Sequence, residues 1–181
     1  MIPNWQKPEA FKKIIFDNKC KYAINGGFYD TNNKPIGLVI SNNQTLNPGH
    51  KNYLFNGYLS NLGIESVPPN MATWAIQTGP LLWQNEKPLK VNTTNDKLAR
   101  RSVAIATTDN QLHFAILYNS QASVLGPHLN DLPKIIMKLG QLEQLEIKKA
   151  INLDGGQASA FYDGRLMLEE SDPVSTILCA Q

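Results

Sequence analysis

Four short segments of the sequence combine an apolar run with the polar residues and glycines that a ligand site needs. Two share one form, an apolar residue followed by polar residues and paired glycines: Ile24-Asn25-Gly26-Gly27 and Ile151-Asn152-Leu153-Asp154-Gly155-Gly156. Paired glycines admit positive φ angles and the close approach of a ligand, and their amide groups can bind an anion. Taken alone, each segment is more typical of a tight turn, since Asn-Gly and Asp-Gly are common turn pairs.

The other two segments also adjoin apolar runs. Gln77-Thr78-Gly79-Pro80 follows a strand-like run, and the Gln77 amide can donate and accept hydrogen bonds at once. The pair Arg100-Arg101 enters the run Ser102-Val103-Ala104-Ile105, and an isolated basic pair of this kind is usually a solvated strand end. Polar side chains at strand ends stand on a rigid scaffold and can face a cleft.

Strand patterns outnumber helix patterns among the elements that must position these segments. Helices are predicted over residues 8–16 and over 131–139, where apolar residues recur at i, i+3, i+4 and i+7 and Gly140 is placed to end the helix. Residues 84–100 are polar and expected to be exposed. Strands are predicted at 22–24, 37–40, 73–76, 102–107, 113–118, 150–153 and 174–178, with a hairpin over 161–167. Because turns join most strands, the sequence predicts one α+β domain over residues 1–181 with mixed or antiparallel sheets.

Composition and charge limit the classes of partner. The chain has 181 residues, a net charge of +2 and no run of Lys or Arg longer than two, which argues against a nucleic-acid partner. No apolar stretch is long enough for a membrane span, and the N-terminus has no signal pattern, which fits a cytoplasmic chain as well as one whose leader was removed. Cys20 and Cys179 could pair in an oxidising compartment, but two cysteines are too few for a disulfide framework and we expect them to be unpaired.

Taken in order, the four segments resemble the phosphodiester glycosidase family. The family pattern has an asparagine-glycine-glycine-aromatic stretch, then a proline and a glycine before a strand, a glutamine-x-glycine-proline stretch, an arginine entering a strand and an asparagine-leucine-aspartate-glycine-glycine stretch. The matching positions are Asn25 to Asp30, Pro35 to Ile40, Gln77 to Pro80, Arg101 and Asn152 to Gly156. The resemblance covers about residues 22–178. Gln157 and Ala158 stand where the family usually has a glycine and a serine, and Ser159 follows one step later.

The resemblance implies hydrolysis of the glycosidic bond of a sugar-1-phosphodiester. A phosphate monoester leaves as an anion, so one carboxylate can suffice where ordinary glycosidases use two. Asp154 would activate water or stabilise the oxocarbenium-like centre, in a catalytic set with Asn152 and Asn25. Asn25, Asn152 and Gln77 would hold sugar hydroxyls. The remaining candidates for substrate binding are Gly26, Gly27, Gly79, Arg101, Gly155, Gly156, Ser159 and Asp30. Of these, Arg101 and the glycine amides would bind the phosphate, while Asp30 is either a second carboxylate or a turn aspartate.

A carbohydrate or sugar-phosphate is therefore the expected ligand, and no cofactor is expected. Asp154 and its neighbours could still hold Ca²⁺ or Mg²⁺, which prefer oxygen ligands, whereas the three histidines are too scattered for a zinc site. The resemblance suggests a secreted or periplasmic, exopolysaccharide-related bacterial protein. Two alternatives remain: a non-catalytic carbohydrate-binding module on the same fold, which Gln157 and Ala158 would favour, and a structural domain of a cell envelope or phage particle.

Overall fold

Fifteen strands and two α-helices make up the chain, and the computed structural model describes residues 1–181. Two 3₁₀ helices lie at Leu129–Asp131 and Gly156–Ala158. In chain order the elements are β1 (Ile2–Pro3), α1 (Phe11–Asp17), β2 (Tyr22–Asn25), β3 (Val39–Ser41), β4 (Gln44–Asn47), β5 (Gly57–Ser60), β6 (Gly63–Glu65), β7 (Ala75–Thr78), β8 (Leu81–Gln84), β9 (Lys87–Pro88), β10 (Arg101–Thr107), β11 (Leu112–Leu117), α2 (Leu132–Glu143), β12 (Ile147–Asn152), β13 (Phe161–Tyr162), β14 (Met167–Leu168) and β15 (Thr176–Ala180). Neither α-helix has the length and apolar character needed to cross a membrane.

The strands form three five-stranded sheets, and every strand pair is antiparallel. The first sheet has the order β1-β15-β2-β13-β14, the second β11-β10-β12-β8-β9 and the third β4-β3-β7-β5-β6. The predicted α+β class with a single domain is confirmed. The hairpin expected at 102–118 is β10–β11, in which Val103 pairs with Ala115.

Each helix covers one sheet with its apolar stripe. Phe11, Ile14 and Ile15 of α1 belong to a core cluster that includes Ala23 and Ile177 of the first sheet. Leu132 and Ile136 of α2 belong to a cluster that includes Val103 and Ala150 of the second sheet.

Gly140 was expected to end α2, but it lies inside the helix, which continues to Glu143 and ends at Gln144 in the left-handed conformation with φ of 55°. A Cβ at Gly140 would lie 2.8 Å from Ile147 Cδ1, so this glycine lets the helix pack closely on β12. Close packing, and not a helix stop, explains the glycine.

The expectation that the two cysteines are unpaired is wrong. Cys20 and Cys179 form a disulfide with a Cα–Cα distance of 5.5 Å across a sequence separation of 159 residues. Sheet order explains the pairing, because β15 lies beside β2 and Cys179 is the register partner of Ala23, while Cys20 lies two residues before β2. The bond therefore joins the two ends of the chain.

Candidate active site

The four motif segments, although they come from three sheets, meet at one place. The ends of β2, β7 and β12 and the start of β10 are joined there by backbone hydrogen bonds. The Asp154 N–H donates to Gly26 O at 3.0 Å, and the Asn152 N–H donates to Pro80 O at 3.0 Å. The sequence motifs therefore form a single structural junction.

The register of β10 and β12 places two charged side chains on one face. Val103 is the register partner of Asn152, and the Leu153 N–H donates to Ser102 O at 2.9 Å. Side chains alternate between the two faces of a strand, so residues two apart lie on the same face. Arg101 lies two residues before Val103 on β10, and Asp154 lies two residues after Asn152 in the antiparallel direction. Arg101 and Asp154 therefore lie opposite each other on the same face as Asn152.

A cleft of about 330 Å³ opens at this junction. Its apolar lining consists of Phe28, Leu54, Ala99 and Leu129. Its polar lining comes from Thr93 to Lys97, Arg101, Asn152 and Asp154 to Gly156. Residues 84–100 were expected to be exposed as a whole, but the part from Thr93 to Lys97 lines the cleft, and the Asp96 side chain is only 9% exposed.

Asp154 is a half-buried carboxyl in this cleft with an altered acidity. Its Oδ1 accepts a hydrogen bond from the Gly155 N–H at 2.8 Å. Burial among protein atoms raises the pKa of Asp154 to about 7, although the Gly155 hydrogen bond and the positive charge of Arg101 act in the opposite direction. Both protonation states of Asp154 are thus accessible near neutral pH.

Arg101 presents one free edge of its guanidinium to the cleft. Its Nη2 donates to Asp96 Oδ1 at 3.2 Å and to Lys97 O at 2.6 Å, and its Nε donates to Pro127 O at 3.2 Å. Nη1 makes no hydrogen bond and lies next to Gly155, where an added Cβ atom would be 3.5 Å from Nη1. The side chain is therefore held rigidly with two unused donors, which suits an anionic ligand.

Asp96 accepts a hydrogen bond from Arg101 and holds its guanidinium in place. Its Oδ1 also accepts the Leu129 N–H at 2.9 Å, and its Oδ2 accepts the Asn130 N–H at 2.8 Å. Both carboxylate oxygens are thus engaged within the protein. Arg100, in contrast, is buried on the other side of β10, where it donates to Ser159 O and to Glu169 O, so neither arginine is a solvated strand end.

Asn25 has all its amide hydrogen bonds inside the protein. Its Nδ2 donates to Asp154 O at 2.8 Å and to Gly26 O at 3.2 Å, while its Oδ1 accepts Ser102 Oγ at 2.6 Å and the Ala160 N–H at 3.1 Å. Two donated and two accepted bonds saturate an asparagine amide. In this arrangement, Asn25 fixes the backbone of Asp154.

Ser159 belongs to the same buried cluster. Its Oγ lies 2.7 Å from Ser102 Oγ, and both side chains are fully buried, with 0% exposure. The hydroxyl therefore reaches Asn25 through Ser102 and does not line the cleft.

Gln77 is saturated in a similar way. Its Oε1 accepts the N–H groups of Leu38 at 3.1 Å and His50 at 3.2 Å, and its Nε2 donates to the carbonyls of His50 at 2.7 Å and Phe55 at 2.9 Å. These bonds hold residues 50–55 in place, and Leu54 of this segment lines the cleft. The Gln77 side chain itself does not line the cleft.

Asn152 is the one of the three motif amides that faces the cleft. Its Nδ2 donates to Gly79 O at 2.9 Å, whereas its buried Oδ1 has no hydrogen-bond partner in the protein. A buried amide oxygen without a partner costs free energy, and a ligand hydroxyl would satisfy it.

Most of the glycine amides of the motifs are engaged within the chain. The N–H groups of Gly26 and Gly156 donate to Thr176 O and Arg100 O, each at 2.8 Å. A Cβ at Gly27 would lie 2.8 Å from Gln77 O, so close backbone packing requires glycine there. Gly79 is a positive-φ residue at 155°, where side chains are disfavoured.

Asp30 lies outside the cleft. It is exposed, and its Oδ1 accepts the N–H groups of Asn32 at 2.8 Å and Lys34 at 3.0 Å. These are the contacts of a turn aspartate, which was one of its two predicted roles.

Phe28 and Asp96, which the sequence did not single out, contribute to the site, and Tyr29 lies close to Asp154. Phe28 lines the cleft and stacks on Phe55 with ring centroids 4.5 Å apart. Burial, aided by the nearby Asp154, raises the pKa of Tyr29 to about 12. The aromatic pair directly after Gly27 was a usable signal for both, but a single aspartate in a polar stretch gave none for Asp96.

The cleft offers little to a metal ion. No group of three or more His, Cys, Asp or Glu side chains in the structure could hold one. Asp96 is fully engaged, which leaves Asp154 as the only free carboxylate of the cleft lining. Ca²⁺ takes six to eight oxygen ligands, of which the side-chain carboxylates of this lining would supply one residue's share.

Comparison with known proteins supplies the family. No curated protein is significantly similar to this chain. The fold is similar to the zebrafish N-acetylglucosamine-1-phosphodiester alpha-N-acetylglucosaminidase catalytic domain auto-inhibited by its pro-peptide, with a TM-score of 0.74 and 18% identity over 97% of this chain and 68% of that chain. It is also similar to a hypothetical protein from Synechocystis, with a TM-score of 0.60 and 16% identity over 98% of this chain and 54% of that chain. Residues 18–179 match the family model described as phosphodiester glycosidase, and the chain therefore belongs to the phosphodiester glycosidase family.

Proposed function

We propose that this protein hydrolyses the glycosidic bond of a sugar-1-phosphodiester, with Asp154 as the essential carboxylate. The observation that carries the proposal is the placement of Asp154 opposite Arg101 in one cleft, with the family's motifs around them. A carboxylate can stabilise positive charge at an anomeric carbon, and a guanidinium can stabilise negative charge on a departing phosphate.

The lining of the cleft suggests how such a substrate would lie. The phosphate would bind the free Nη1 donors of Arg101, with the unpaired ammonium of Lys97 nearby on the same lining. The sugar ring would pack on the exposed part of Phe28, and one hydroxyl would donate to the partnerless Asn152 Oδ1. Each unsatisfied group of the cleft would then gain a partner.

Asp154 would act in its ionised form. Water adds to the anomeric carbon, the bond from that carbon to the phosphate oxygen breaks, and the phosphate monoester leaves as an anion with the bonding electrons. The proton released by water passes to Asp154 or to solvent. Because the pKa of Asp154 is raised to about 7, the ionised fraction increases through neutral pH, and kcat/KM should rise between pH 6 and pH 8.

The test is release of free sugar from UDP-N-acetylglucosamine and from aryl phosphodiesters of N-acetylglucosamine. Wild type, Asp154→Asn and the surface control Asp30→Asn would be compared, each with and without EDTA or added Mg²⁺ and Ca²⁺. We expect Asp154→Asn to lose at least about 100-fold in kcat/KM, the usual scale of general acid–base catalysis, and Asp30→Asn to match wild type. Full activity in Asp154→Asn would refute the assignment.

A carbohydrate-binding module on the same fold is the second candidate. It is favoured by Ala158 and Gln157, which stand where the family usually has a serine and a glycine. Ser159 does not replace the missing hydroxyl in the cleft, because it is buried against Ser102. A binding module would hold the sugar without releasing it and would tolerate Asp154→Asn, so the same variant separates the two functions.

A further inference from the structure

A second concave surface lies at the ends of β10 and β12 opposite to the cleft. Its volume is about 440 Å³, compared with about 330 Å³ for the cleft. Its lining includes the turn between β5 and β6, the turn between β10 and β11, and the half-buried Trp74. Lys149 lines this groove and Asp154 the cleft, so about five residues of extended chain, roughly 15 Å, separate the two sites.

The backbone of Trp74 is fixed in the groove, but its indole N–H has no hydrogen-bond partner. The Asn61 Oδ1 accepts the backbone N–H groups of Thr73 at 2.8 Å and Trp74 at 3.3 Å, which fixes the tryptophan backbone. The indole N–H of Trp74 makes no hydrogen bond in the protein. The buried Trp83, in contrast, donates its indole N–H to Ile147 O at 3.0 Å. Trp74 thus presents an aromatic surface and a free donor to the groove.

The polar side chains around Trp74 are also unused. The amide groups of Asn110 and Gln111 make no side-chain hydrogen bond, and the Nδ2 of Asn61 has no acceptor, although all three residues line the groove. Asparagine and glutamine amides both donate and accept, as the hydroxyl groups of a sugar do. The groove therefore combines a flat aromatic side chain with several two-way hydrogen-bonding groups.

The charge of the groove favours a ligand with little charge. Lys149 and Glu65 form a salt bridge at 2.8 Å and neutralise each other, which leaves the exposed Lys148 as the unpaired charge of the lining. A nucleic acid would require several cations along its backbone. A protein partner usually meets an apolar centre, whereas only five of the 14 lining residues here are hydrophobic.

We infer that this groove is a second binding site, separate from the catalytic cleft, and that it takes an oligosaccharide stacked on Trp74. Its hydroxyl groups would be bound by the amides of Asn61, Asn110 and Gln111. The groove would hold a glycan chain on the protein independently of hydrolysis, so the inference does not depend on the activity proposed for Asp154.

The test is NMR titration of the full chain with three probes: tetra-N-acetylchitotetraose, cellotetraose and tetragalacturonate. We expect at least one of the two uncharged probes to bind with a Kd below about 5 mM and to shift the Trp74 indole N–H resonance, whereas the Trp83 indole stays unchanged. Tetragalacturonate should bind more weakly, because the groove has one unpaired charge. Asp154→Asn should bind the same probe equally well, because it lies at the other end of β12.

Two sets of variants decide the location. Trp74→Ala should weaken binding at least about tenfold. The exposed double variant Asn110→Gly/Gln111→Ala should weaken it severalfold with little change in the melting temperature, because glycine tolerates the φ of 63° at position 110. The double variant keeps the test valid if Trp74→Ala fails to fold. The inference is overturned if neither uncharged probe binds below about 5 mM, if the shifts map only to the cleft, or if binding survives in the double variant unchanged.

Discussion

The raised pKa of Asp154 predicts that the active-site carboxylate destabilises the fold in a pH-dependent way. Its pKa is about 7 in the folded protein, against an ordinary value of 3.8 for an unperturbed aspartate. Below pH 4, the carboxyl is protonated in both the folded and the unfolded chain. Between pH 4 and pH 7, the unfolded chain releases this proton while the folded chain keeps it, so stability falls as pH rises through this window. Above pH 7, both states are ionised and the loss is complete.

The size of the stability loss follows from the pKa shift of Asp154. One pKa unit corresponds to 1.36 kcal/mol, so a shift of about three units costs at most about 4 kcal/mol at pH 8 and well under 1 kcal/mol at pH 4. An asparagine carries no ionisable proton, yet its Oδ1 can still accept the Gly155 N–H that Asp154 accepts at 2.8 Å. Asp154→Asn should therefore gain stability over wild type, and the gain should grow by about 3–4 kcal/mol between pH 4 and pH 8.

The assay is thermal unfolding of wild type and Asp154→Asn at half-unit steps from pH 4 to pH 8. About 1 kcal/mol shifts the melting temperature of a chain of this length by about 2–4 °C, so the difference should widen by about 6–16 °C. Asp163→Asn is the matched control, because backbone N–H groups of Leu166 and Arg165 lower the pKa of Asp163 and its proton is already lost below this range. A difference for Asp154→Asn that stays constant with pH, or a variant less stable than wild type at pH 8, would refute the reasoning.

Three further predictions follow from the contacts around the site and the chain ends. The double variant Cys20→Ser/Cys179→Ser should lose about 2–5 kcal/mol of stability, because a long-range cross-link is lost. Its melting temperature should be lower than that of wild type under non-reducing conditions, and the two proteins should melt at the same temperature in dithiothreitol. Ser102→Ala should lower kcat with little change in KM, because it removes the hydroxyl that fixes Asn25 behind Asp154, and unchanged kcat would contradict that positioning role. Arg101→Lys should lower kcat/KM for phosphodiesters at least about tenfold, as measured by steady-state kinetics on the aryl substrates. A lysine ammonium cannot keep the contacts of Nε and Nη2 while it also presents the two donors of Nη1 to the phosphate.

The fold class was predictable because it rests on local patterns. Val103 and Ile105 alternate with polar or small residues in β10, and Asp109-Asn110 supply a turn, so the hairpin could be placed from the sequence. The disulfide could not be predicted, because it depends on β15 lying beside β2, a contact between opposite ends of the chain. Gly140 was misassigned for a related reason: its role is set by Ile147 on another element.

The candidate site was predictable in its location but not in the direction of each side chain. The motifs located Asn25, Gln77 and Asn152 at strand ends, where the structure places them. Which amide faces the cleft depends on partners distant in sequence, such as Ser102 for Asn25 and His50 for Gln77. No pattern within a motif contains that information.

The alternation of side chains along β10 and β12 explains why the motifs mix residues with different roles. Ile151 and Leu153 are fully buried in one core cluster, and on the opposite face Asn152 and Asp154 line the cleft. On β10, Ser102 lies between Arg101 and Val103 and therefore points away from the cleft, where it meets Asn25. One face of the sheet thus carries the groups that would touch a substrate, and the other carries the groups that hold them. For this reason, a substitution on the face that carries Ser102, away from the cleft, is expected to alter kcat more than substrate affinity.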